Sequence, residues 1–200
     1  MPTSPFLAPE RDQAFKAGRW KGGGVNFYTV PGVMLTATGT TNGVVGEVRY
    51  WPFFAFAPIL IDQLAAEVTT LSASTNFRMG FYPADSDWQP VGGPLADSGN
   101  ISSGSTGVKT YTPGTPILAP RGRYLSGFMA DSAVPAFRKG VGTNVRGPLV
   151  NSSLGSSLLA LNVVGTQTFG AFPTPGTAWD TVTQSSSSFE HIVFYRMLAA

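Results

Sequence analysis

From Asn26 onward, short apolar or β-branched runs alternate with clusters of Gly, Pro, Asn, Asp and Ser at intervals of roughly 8 to 15 residues, the rhythm of an all-β sandwich or barrel. The firmest element is Phe77-Arg78-Met79-Gly80-Phe81-Tyr82, where Phe77, Met79 and Phe81 point to one face and Arg78 and Tyr82 to the other, the period of a half-buried strand. Residues 26–30 and 33–38, separated by Pro31-Gly32, predict strands before it. Residues 44–57 predict a third, in which Tyr50, Trp51, Phe53, Phe54 and Phe56 are too bulky to be left in water. Pro52 has no backbone N–H, which places that strand at an edge or a bulge. Later strands are expected at residues 107–112, 123–129, 158–164 and 190–198. In the last, Ile192 and Phe194 alternate with Val193, Tyr195 and Met197, so both faces are apolar and the strand is expected to be central.

One segment supports two periods. Ile61, Leu64, Ala65 and Val68 stand at helical spacing, yet Leu64, Ala66 and Val68 against Ala65, Glu67 and Thr69 alternate as a strand does. The β-branched run Val68-Thr69-Thr70 and the turn residues 72–76 favour a strand, forming a hairpin with Phe77 to Tyr82. No self-similarity at solenoid or propeller periods is visible. A sandwich whose last strand lies between others cannot close until the end of the chain is made.

Residues 1–24 read differently from the rest. Pro2, Pro5 and Pro9 stiffen an extended lead, Arg11, Lys16, Arg19 and Lys21 make it basic, and Gly22 to Gly24 form a hinge. Residues 10–17 could make two helical turns, but with Phe15 as the only large apolar residue they would not hold alone. This predicts an N-terminal arm, 1–24, that docks on a partner, and a β-domain, 25–200.

Composition narrows the chemistry. Charged residues are 12% of the 200, against about 25% in an ordinary domain, and Gly 24 and Pro 16 are both high, which argues against long surface helices. Net charge is +2, and the Lys+Arg total of 13 is spread along the chain without a block that would neutralise a run of phosphates, so nucleic acid is not expected as a partner. The longest uncharged stretch, residues 147–179, is broken by Asn151, Ser152, Asn162, Gln167, Pro173 and Pro175, so membrane insertion is not expected. Glu10, Arg11 and Asp12 stand where a cleavable signal would need apolar residues, which predicts a soluble chain that is not exported that way. With no cysteine, thiol catalysis and thiolate metal sites are excluded.

The remaining groups do not assemble a catalytic motif. His191 is the only histidine, and its neighbour Glu190 points to the opposite face of a strand. Asp85, Asp87 and Asp97 are the only acidic cluster; they lack the ligand ladder of a calcium loop, and turn chemistry accounts for acids in Pro83-Ala84-Asp85-Ser86-Asp87-Trp88. Gly104-Ser105-Thr106-Gly107 has the wrong spacing for a nucleophile elbow, and residues 138–142 lack the ending of a phosphate loop. No enzyme, metal site or cofactor is expected. Two loop tryptophans offer binding chemistry. Trp88, between Asp87 and Gln89, and Trp179, beside Asp180, can stack on a sugar ring while the acid and amide bond its hydroxyls; each can instead cap the core or a subunit contact, the commoner use of Trp.

Ala17-Gly18-Arg19-Trp20, Val48-Arg49-Tyr50-Trp51-Pro52-Phe53, the segment from Ile61 to Thr70, Phe77 to Tyr82, Gly107-Val108-Lys109-Thr110 and Gly122-Arg123-Tyr124-Leu125 together resemble a bacteriophage tail-fibre or virion-surface jelly-roll domain. The resemblance spans most of the chain. It implies a jelly-roll β-sandwich with an extended N-terminal arm, assembled as a homotrimer in the bacterial cytoplasm and carried on the virion. Phe6, Phe15, Arg19 and Trp20 would anchor the arm to other phage structural proteins, either a tail adaptor or the capsid. The expected function is a tail fibre or receptor-binding protein contacting host surface polysaccharide through Asp87, Trp88, Gln89 and Trp179; the alternative is a capsid decoration protein that cements the head.

Overall fold

The computed structural model describes residues 27–29, 37–55, 58–141, 163–174, 183–184, 190–191 and 193–197. Among them there is no helix, and the strands form two antiparallel sheets. The chain is an all-β protein of β-sandwich type. The first sheet has eight strands: β1 (Phe27–Thr29), β2 (Ala37–Asn42), β4 (Ile59–Thr70), β8 (Gly107–Tyr111), β9 (Ile117–Ala119), β11 (Ala136–Val141), β14 (Glu190–His191) and β15 (Phe194–Met197). The second has seven: β3 (Glu47–Ala55), β5 (Asn76–Ala84), β6 (Ala96–Asp97), β7 (Ile101–Ser102), β10 (Gly122–Ala130), β12 (Val163–Thr166) and β13 (Thr183–Gln184).

Strands distant in sequence lie side by side. β10 is inserted between β3 and β5, and β15 lies between β1 and β4, the central place expected for the C-terminal strand. The strand that holds Pro52 is not at an edge of its sheet: β3 lies between β10 and β12, Pro52 pairs with Leu125 of β10, and the described register with β12 runs from Glu47 to Tyr50. One expectation is corrected: β4 and β5 do not form a hairpin. The turn after Thr70 carries the chain from the first sheet to the second, held by the Thr75 hydroxyl donating to the Ser72 carbonyl at 2.9 Å and by Ser72 N–H donating to Ser103 at 3.1 Å.

Between the sheets, Phe77, Met79 and Phe81 of β5 and Tyr124, Phe128 and Ala130 of β10 meet Ile61, Leu64, Ala66 and Val68 of β4, with Phe137, Val193 and Tyr195. Phe77, Phe128 and Phe137 pack ring to ring with centroids 4.9–5.6 Å apart. The double periodicity of β4 has a physical source. The register with β15 shifts between Arg196 and Met197, so a bulge puts Ile61 and Leu64 on the same face of a strand at a spacing that mimics a helix. A polar cross-tie spans the core: the Ser126 hydroxyl is hydrogen-bonded to the Tyr195 hydroxyl from the opposite sheet, both buried.

On the exterior of the first sheet, Arg138 donates from Nε to Glu67 Oε2 at 2.9 Å and from Nη2 to Oε1 at 2.7 Å. These bonds hold the Glu67 carboxyl below the usual carboxylate range. Because its folded pKa is depressed, the pair contributes stability above the unfolded carboxylate pKa and loses it as pH falls through the folded one. Glu67→Gln is expected to lower stability at neutral pH by about 0.2–1 kcal/mol, the range for half-exposed pairs, and to match the parent in acid. Urea denaturation at both pH values checks this.

Around Gly80 and Tyr82, β5 is buried on both faces, so the expectation of a half-buried strand is corrected there. Tyr82, on the face opposite Phe77 and Phe81, is fully buried in a second cluster with Val48, Tyr50, Leu125, Met129 and Phe172. The cover is the segment after β12. Gly80 and Gly127 pair directly across β5 and β10, and the Phe172 ring lies on the flat floor they make. A Cβ at Gly80 would stand 2.9 Å from that ring and one at Gly127 2.8 Å. The Tyr82 hydroxyl donates to the Pro173 carbonyl at 2.9 Å, and Phe172 N–H donates to Asp97 Oδ2 at 3.0 Å. Asp97 also takes both nitrogens of the Arg78 fork at 2.8–3.1 Å, which aligns the clamp.

Candidate functional site

The loop that follows β5 is built around Asp85. Its Oδ1 accepts from the N–H groups of Asp87 and Gln89, both at 2.8 Å, while Asp85 N–H donates to the Gln89 carbonyl at 2.9 Å. These bonds are the turn chemistry that an acid in this sequence suggests. They force the chain to fold back on itself, and Ala84 then bridges Pro90.

At the tip stands Trp88 with φ 60°, the left-handed region. A side chain there costs about 1–2 kcal/mol relative to glycine. Trp88 is half-buried, resting along the edge of the second cluster, and the Arg123 guanidinium lies over its ring at 5.5 Å from the centroid. Arg123 reaches the loop because its strand position pairs with Ala84, immediately before Asp85. Its Nη1 donates to the Asp85 carbonyl at 3.4 Å. Asp87 is exposed and Gln89 half-buried beside it.

The sequence-predicted triplet Asp87, Trp88 and Gln89 is thus one contiguous surface feature. Trp179 lies outside the described residues, as do residues 1–24 with Phe6, Phe15, Arg19 and Trp20. The backbones of Glu190 and His191 pair with Gly140 and Lys139. Among the described residues no three acids or histidines converge as a metal site. Asp97 is engaged by Arg78, Gly99 N–H and Phe172 N–H.

Sequence reasoning missed Arg123. It is remote from Trp88 in the chain, and only the antiparallel register brings the two together. A signal was present in Arg121-Gly122-Arg123, two basic residues at strand spacing where β10 begins. That bend is pinned by the Tyr124 hydroxyl donating to the Pro120 carbonyl at 2.7 Å. Comparison with protein-family models and with curated proteins finds no match to this chain, so its residues and geometry carry the functional reading.

Proposed function

We propose that this chain is a structural virion protein of a tailed bacteriophage, a trimeric receptor-binding or tail-fibre protein whose β-sandwich is of jelly-roll type. The N-terminal arm, through Phe6, Phe15, Arg19 and Trp20, docks on the tail, and the loop carrying Asp87, Trp88 and Gln89 contacts host surface polysaccharide. Trp179 is a second candidate sugar contact. Repeated crossing of the chain between the two sheets supports the jelly-roll assignment.

The observation that carries the reading is Trp88 itself. A surface turn with φ 60° suits glycine, yet here it holds the largest side chain, beside an exposed carboxylate and an amide. Strain retained at a binding tip is a mark of function. Aromatic rings flanked by hydrogen-bonding groups suit sugars, whose C–H faces stack while their hydroxyls bond. Weak single sites suffice, because repetition on a trimer supplies avidity.

Trp88→Gly separates binding from folding, since glycine accepts the left-handed backbone without strain. The expected result is a folded protein, the relieved backbone strain offsetting part of the packing lost at the edge of the second cluster, whose binding to host cells is weakened about tenfold or more, the effect of losing about 1.4 kcal/mol. Undiminished cell binding by the folded variant would overturn the assignment of this loop.

A further inference from the structure

We infer that Arg123 makes the Trp88 loop selective for carboxylated polysaccharide; the inference rests on the glycan-binding reading above and names the class of sugar. Arg49, Arg78 and Arg138 each have a carboxylate partner, Glu47, Asp97 and Glu67. Among the described residues Arg121 and Arg123 have none within ion-pair distance; Arg123 pairs with Ala84 beside the loop, and Arg121 immediately precedes β10. Arg123 donates from Nη1 to the Asp85 carbonyl at 3.4 Å and lies over the Trp88 ring at 5.5 Å from its centroid, which holds the guanidinium at the loop. Its other N–H donors remain for a ligand.

A guanidinium held beside the loop with free donors matches a carboxylate in a two-bond fork, a geometry that an ammonium or a neutral amide does not reproduce. The adjacent indole and the Gln89 amide suit the ring that bears such a carboxylate. Asp87, exposed in the same loop, disfavours bare inorganic anions, which favours an acid carried on a ring that stacks. Exposed Arg121 adds positive field at the rim. The ligand class is therefore a uronate-type sugar polymer rather than a neutral glucan.

The test uses the full chain and immobilised polymers: polygalacturonate, alginate and hyaluronan, each beside the same polymer with its carboxylates reduced to alcohols. The parent protein is expected to bind at least one acidic polymer about tenfold better than its reduced form, a difference of about 1.4 kcal/mol. Arg123→Gln is expected to erase that preference while retaining the weaker binding to the reduced polymer. Arg123→Lys, which keeps the charge but not the fork, is expected to fall between them. Trp88→Gly is expected to lose both.

Equal binding of acidic and reduced forms by the parent, or an undiminished preference in Arg123→Gln, overturns the inference and leaves the glycan reading standing. No binding of the parent to any acidic or reduced polymer overturns both. A melting temperature for each variant separates loss of ligand contact from loss of fold.

Discussion

Replacing Phe172 by alanine is expected to lower the stability of the folded protein by about 3–5 kcal/mol, the range for a buried aromatic deleted from a packed site. Few single changes would do more, because domains of this size are stable by only about 5–15 kcal/mol. The reason is local. Phe172 lies 5% exposed on a floor of two paired glycines, and no side chain from that floor can rise to fill the space it would vacate. The Tyr82 ring, 5.9 Å from that of Phe172, would lose its edge contact, and the cluster that also holds Tyr50, Leu125 and Met129 would be opened. The reciprocal change, Gly127→Ala, drives a methyl to within 2.8 Å of the same ring and is expected to cost about 1–3 kcal/mol by overpacking. The two effects should be non-additive: with Phe172 already alanine, the added methyl at Gly127 has room. Urea denaturation of both single variants and the double variant measures this. Additive losses would show that Phe172 does not rest on the glycines.

Raising the pH past the ordinary tyrosine range is expected to unfold the protein cooperatively. Burial pushes the hydroxyls of Tyr50, Tyr82 and Tyr195 well above their usual range. In the unfolded chain these groups ionise near pH 10, so above that value the unfolded state sheds protons that the folded state keeps. Stability is therefore fully present below about pH 10 and falls as pH rises, by about 1.4 kcal/mol per pH unit for each group and about 4 for the three together. The expected observation is that tyrosinate absorbance and near-ultraviolet circular dichroism change in one coincident transition. Ionisation of all the tyrosines with the dichroism unaltered would contradict the burial of these three.

The sequence revealed most where apolar residues recur at the strand period of two. β5 was legible from Phe77, Met79 and Phe81 alone, and the terminal strand from apolar residues on both faces. β4 was ambiguous because its bulge lends Ile61 and Leu64 a helical spacing. β11 was not anticipated: in Ala136–Val141 the apolar alternation is short, and Arg138 is explained only by Glu67 from β4. Nothing marks Phe172 as a core residue, since it sits in an irregular stretch with no period and gains its burial from glycines far away in the chain. The candidate site divides in the same way. Asp87, Trp88 and Gln89 are adjacent in sequence and could be recognised together, whereas Arg123 joins them through strand register.

The proposed tail-fibre role predicts where the protein would be found on a phage particle. Immunolabelling of intact phage particles, with copies per particle counted by quantitative gel, tests this most directly. The expected result is label confined to the tail at low copy number. Label spread over the whole head at high copy number would contradict it, making the chain a capsid decoration protein and Trp88 a packing residue.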